Sequence, residues 1–206
     1  IQETFTVIAK GIRNIPGISY QRVHNYYVKY VGNVGQDLVE SIFSFIYYVP
    51  IPVTQLVQSS LKKPEPQGFT NFGWRAWEGV LPTSIIRECS ANPDLNEKVI
   101  AYYNEAVKTS TKRLYPLVSY FHEDPRPDKF AGTALTGVQP YMGNRIPGLT
   151  GSVVFTDLAR NEGSGPPGRG VLAYSKAGTN CKLNDFSVID IDYNFGSQSA
   201  YYVSLG

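Results

Sequence analysis

The sequence predicts an α+β chain, in which a mostly helical N-terminal region is followed by a small antiparallel β-rich C-terminal region. Three observations lead there. Residues 92–122 carry a helix start, a helical apolar period and a helix stop in one stretch. Two earlier segments open with helix-like signals. Beyond Phe121 the chain turns to short apolar runs punctuated by Pro and Gly, and such segregation is the α+β pattern. Three regions follow: 1–122 mainly helical, 123–151 a Pro/Gly-rich loop or extended arm, and 152–206 β-rich.

Taken in order, residues 4–9 alternate Phe5, Val7 and Ala9 on one side, the period of a strand. Pro16-Gly17 is a turn pair, since Pro presets one dihedral and Gly accepts the positive one. Val23, Tyr26, Tyr27, Tyr30 and Val31 follow helical spacing up to Gly32, with His24 beside them in a structural role. Asp37 and Glu40 have capping-box spacing and open a charge-free run from Ile42 to Val57. A membrane-crossing helix needs about 20 apolar residues. Pro50 and Pro52 interrupt this shorter run, so a buried helix over 38–48 is expected and no transmembrane helix, with membrane contact left open. Residues 61–68 read as a polar loop and 82–89 as a short helix.

The strongest helix signal is the next one. Asp94 with Glu97 forms a second capping box, and Leu95, Val99, Tyr102, Ala106, Ser110, Leu114, Leu117 and Phe121 recur at spacings of three and four. Pro116 lacks the N–H that a helix interior needs, so the helix is expected over 95–115 with a kink or short second turn to His122. Downstream, Pro140, Pro147 and Gly148 limit 131–151 to an extended arm. Strand-like runs lie at 152–158, 170–174, 186–193 and 200–205, with 161–170 as a loop.

Composition bounds the function. Charged residues are 17% of the 206, against roughly a quarter in typical soluble domains, while there are 15 Tyr and 10 Phe. A surface short of charge and rich in Tyr suits contact with other proteins; Tyr at the margin of a core is the plainer alternative. A net charge of +2 with scattered basic residues does not make a nucleic-acid face. Two cysteines, Cys89 and Cys181, are too few for a disulfide framework and leave the compartment open. A start at Ile1 rather than Met is expected of a processed, cleaved or partial chain.

No complete catalytic, metal or nucleotide signature is present. Gly163-Ser-Gly165-Pro-Pro-Gly168 has dinucleotide-fingerprint spacing, but Pro fills its variable positions and a strand-like run follows where a helix is required. Asp190, Asp192 and Asn194 would share a strand face, yet a calcium loop counted from Asp190 needs Gly and Glu where Phe195 and Tyr201 stand. The reading is therefore a non-enzymatic structural, linker or accessory subunit of a larger protein assembly, with other subunits as partners and no cofactor. Phe72, Trp74 and Trp77, with Tyr141 and Arg145 in the arm, are the candidate partner-binding residues. Two alternatives stand beside it. Trp74 and Trp77 could form a flat platform for carbohydrate or another planar ligand. His122, Glu123 and Asp124 could form an enzyme site, since a His beside acids is the raw material of a general base.

Overall fold

The computed structural model describes residues 9–24, 26–48, 70–84, 86, 97, 100–101, 104, 113–123, 129–161, 168–179, 183–192 and 200–206. Among them the helical N-terminal region is absent: 45% are in strands, 7% are helical, and no helix reaches seven residues. The strands are β1 (Ala9–Lys10), β2 (Ile18–Val23), β3 (Tyr26–Asn33), β4 (Val39–Tyr48), β5 (Thr70–Asn71), β6 (Trp77–Glu78), β7 (Leu81–Pro82), β8 (Val118–Phe121), β9 (Leu135–Tyr141), β10 (Ser152–Asp157), β11 (Val171–Lys176) and β12 (Phe186–Ile189). The expected α+β class is thereby corrected to a mostly β one.

Two antiparallel four-stranded sheets dominate, in the orders β2-β3-β4-β8 and β9-β10-β11-β12. The segment expected as a Tyr-bearing helix is β3, paired with β2 from Ile18↔Val31 to Val23↔Tyr26. That register leaves a two-residue reversal, and His24 sits in it at φ 51°, the left-handed conformation such turns require. The segment expected as a buried helix over 38–48 is β4, paired with β3 along its length. Of the 95–115 helix, Glu97, Ile100, Ala101 and Asn104 are helical, and the other residues up to Lys112 lie outside the described set. Its expected extension to His122 is strand β8 instead.

The physical reason for the misreading is that the middle strands of the first sheet, β3 and β4, are covered on both faces. Val28, Tyr30, Ile42, Val118 and Tyr120 point into a core shared with Leu135, Val138, Val153, Phe155, Val171 and Phe186 of the second sheet. On the opposite face Val31 and Phe43 pack with Phe72, backed by Ile12, Phe45 and Leu114. Strands buried on both sides read as continuous apolar runs and lose the alternation that marks a half-buried strand. Aromatic rings lock the main core: Tyr120 lies 4.8 Å from Phe130 and 5.7 Å from Phe155 by ring centroids.

The second sheet follows the sequence more closely. Three expected strands are β10, β11 and β12, whereas 200–206 is irregular and joins the sheet region through Gly170 N–H donating to Ala200 O at 2.7 Å. Within the stretch read as a loop or arm, Leu135–Tyr141 is β9, an edge strand that contains Pro140. Edge strands tolerate Pro because half their N–H groups face no partner. Strand β9 lies against β2, β3 and β4 of the other sheet, so it carries the contact between the layers. At the far edges Asn184 N–H, just before β12, donates to Leu117 O at 2.7 Å.

Candidate functional site

Three carboxylates are withdrawn from solvent: Glu40 and Asp157 at 0% exposure and Glu78 at 1%. A buried charge is costly unless donors replace the lost water, and here the donors are mostly backbone. Glu78, on β6, accepts at Oε1 from the N–H groups of Gln36, Asp37, Leu38 and Val39 at 2.8, 3.0, 2.7 and 2.9 Å. Consecutive N–H groups converging on one anion form a nest. This nest, not a helix cap, is what the segment at Asp37–Glu40 makes.

Asp157 follows a register shift at the end of β10. Its Oδ1 accepts from the N–H groups of Thr133, Ala134 and Ala159 at 3.0, 3.3 and 3.1 Å, and its Oδ2 from the Tyr120 hydroxyl at 2.8 Å. Burial and the adjacent Asp157 push the Tyr120 phenol well above its ordinary range, because ionising it would place a second anion beside the first. Tyr120→Phe removes this bond alone. We expect it to lower stability by about 1–2 kcal/mol, read from urea unfolding.

Glu40 joins three elements. Its Oε1 meets His122 Nε2 at 2.7 Å and accepts from Gly35 N–H at 3.2 Å; its Oε2 accepts from Leu135 N–H at 3.0 Å. Strands β4, β8 and β9 are thus tied at one carboxylate. Burial raises the Glu40 carboxyl, against the lowering effect of His122 and Leu135. The bond to Glu40 raises the His122 imidazole, against desolvation. With its side chain 19% exposed, the His is the rim of this cluster, and Asn161 Nδ2 binds its carbonyl at 2.9 Å.

The arrangement can hold a proton on the ring and orient it. Among the described residues no hydroxyl or thiol is hydrogen-bonded to the imidazole, and no three His, Cys, Asp or Glu side chains gather as metal ligands. His122 pairs with Glu40 rather than with Glu123, which is exposed, while Asp124, Cys89 and Cys181 lie outside the described residues.

The aromatic residues singled out from the sequence do not form an open platform. Phe72 is 3% exposed and packs on Phe43 with ring centroids 4.6 Å apart and planes tilted by 60°, so it belongs to the core. Trp77 carries the Arg113 guanidinium 3.6 Å from its ring centroid, a cation–π contact that occupies one face. Trp74 is half-buried in the turn before β6 and shares no helix face with Trp77. Tyr141 ends β9 and its hydroxyl accepts from Ile146 N–H at 3.0 Å; Arg145 is exposed in the loop so closed. Asp190 and Asp192 are exposed and follow the end of β12, and Asn194 lies outside the described residues.

No family model, curated protein or solved structure matches this chain. Function is therefore argued from its own residues. Among those, sequence reasoning assigned Glu40 to a helix cap and passed over Glu78, Tyr120 and Asp157. The available signal was a lone acid inside an apolar run, as in Val39-Glu40-Ser41-Ile42-Phe43, because acids are almost never fully buried without partners. Among the described residues no helix is long and apolar enough to cross a membrane.

Proposed function

We propose that this chain is a non-enzymatic interaction subunit that joins a larger protein assembly through its first sheet. The observation that carries this reading is edge strand β2, where Ile18 is 59% and Tyr20 65% exposed. Both project from the outer face, part of which is already covered by Phe72 and its neighbours. Tyr20 packs edge-on against Tyr27 at 5.4 Å between ring centroids, so it is held rather than mobile. A rigid aromatic beside an exposed aliphatic loses little rotamer freedom on docking, and among the described residues β2 is an edge strand, the kind of backbone a partner strand can pair with.

The buried acids fit this reading as internal ties, since each is spent on backbone donors or on His122. The platform and enzyme alternatives gain nothing comparable: Trp77 is already covered by Arg113 and His122 faces a structural carboxylate. Co-purification from the native source with mass spectrometry tests the proposal. Wild type should bring down a protein partner in fixed stoichiometry, and an Ile18→Glu, Tyr20→Glu variant that retains its circular-dichroism spectrum should lose it. Recovery of both chains alone, or of both with the same partner, overturns the reading.

A further inference from the structure

A groove of about 300 Å³ opens where β11 begins and β12 ends, away from the β2 face. Val188 and Ile189, both half-buried, line it together with the backbone around the buried Val171. Its rim is charged: among the described lining residues Arg160 and Arg169 face one acid, Asp190. The C-terminal segment walls one side: Gly170 N–H holds Ala200 O at 2.7 Å, and a Cβ at Gly170 would stand 2.7 Å from Tyr202 N. Only a residue without a side chain lets the tail come so close.

The two arginines are brought together by local pairing. Arg160 N–H donates to Arg169 O at 3.0 Å and Gly168 N–H to Arg160 O at 2.9 Å. Among the described residues neither guanidinium has a good acceptor. Arg160 Nη2 is 3.9 Å from Asp190 Oδ1, too long for a hydrogen bond, and that carboxylate is 94% exposed. Pairs so open to water contribute little. The Arg169 side chain makes no hydrogen bond or ion pair among the described residues.

We infer that this groove binds a small organic anion, a single carboxylate, sulfonate or phosphate head on a short apolar body. The guanidinium fork matches a planar or tetrahedral oxyanion with two parallel bonds. The half-buried Val188 and Ile189 offer a small apolar surface beside the arginines for a short apolar body. Among the described lining residues two positive charges stand against one negative, which favours an anion, and Asp190 opposes it. This site is independent of the docking surface on β2.

Titration of the full chain with 8-anilinonaphthalene-1-sulfonate, followed by fluorescence at low salt, tests the inference. One saturable site is expected, with benzoate displacing the dye and benzyl alcohol failing to. Arg160→Gln and Arg169→Gln should each weaken binding about tenfold, the scale of one charge-assisted hydrogen bond. Asp190→Asn should tighten it several-fold, a sign that adhesion of the dye to apolar surface alone would not give. All three side chains are solvent-accessible, and unchanged melting temperatures will show that the variants fold. Absence of saturable binding, equal displacement by benzyl alcohol, or affinities indifferent to the three substitutions would overturn it.

Discussion

Glu78→Ala is expected to cost about 3–5 kcal/mol, the range for removing one partner from a buried charge interaction. The carboxylate is 1% exposed and takes four successive backbone N–H groups on one oxygen. Removing it leaves those donors facing a cavity, and Val39 N–H among them is fully buried. Val39 also starts β4, whose pairs run from Val39↔Phe121 on β8 to Tyr26↔Tyr48 on β3. The loss should therefore appear as weaker global stability and as faster amide exchange at residues 36–39. Glu78→Gln is a milder change: one oxygen remains an acceptor, while its NH₂ group cannot accept from Asp37, and about 1–3 kcal/mol is expected. Urea unfolding of both variants decides the matter. A Glu78→Ala loss below about 1 kcal/mol would mean that water replaces the carboxylate at no great cost, and that the nest is not what fixes the start of β4.

How much of this was legible in the residues differs between the two sheets. Val171, Ala173 and Ser175 are buried while Leu172 and Tyr174 are half-buried and Lys176 exposed, so β11 shows the period of two, and its neighbours β10 and β12 were bounded closely at their starts. Strand β9 was hidden by Gly137 and Pro140. The Pro is admitted by the edge position, and the Gly by the tail, since a Cβ there would lie 2.6 Å from Leu205 Cβ. In the first sheet the tyrosines at 26, 27 and 30 fit helical spacing only because both strand faces are occupied, one by the main core and one by Phe72 and Phe43. Period could not arbitrate there. Residue type could have: Val39, Ile42, Phe43, Phe45, Ile46, Tyr47 and Tyr48 are β-branched or aromatic, which favours a pleated surface.

The acid cluster was illegible for a different reason. Glu40 and His122 are 82 positions apart, and Glu40 and Leu135 are 95 apart. Capping-box spacing at Asp37–Glu40 rewarded a local explanation, whereas the true donors to Glu78 are the backbone groups of that same segment. Backbone donors leave no mark on residue identity. What a sequence can show is only the mismatch, an acid in apolar company, and such a mismatch calls for a distant partner without naming it.

The pH dependence of stability is where that distant pairing will be most visible. In the folded chain both members of the Glu40–His122 pair are raised, from ordinary values of 4.5 and 6.5. Glu40 is raised first by burial; His122 is raised first by its bond to Glu40. A group raised on folding binds its proton more readily in the native state, so its contribution is complete below the unfolded value and is lost as pH rises through the folded one. Stability from this pair should thus decline with rising pH, beginning above about 4.5 for Glu40 and above about 6.5 for His122. Glu78 on β6 and Asp157 on β10 add to the field that keeps the ring protonated, and Tyr120 titrates far above this window. Melting temperature measured from about pH 6 to about pH 9 should fall in wild type. His122→Gln keeps a donor for Glu40 but cannot titrate, and it should flatten that slope. His122→Ala, which strands the Glu40 carboxylate with fewer donors at 0% exposure, should cost about 3 kcal/mol near neutral pH. A wild-type slope that persists unchanged in His122→Gln would show that the proton lies elsewhere and that the 2.7 Å contact is a neutral hydrogen bond.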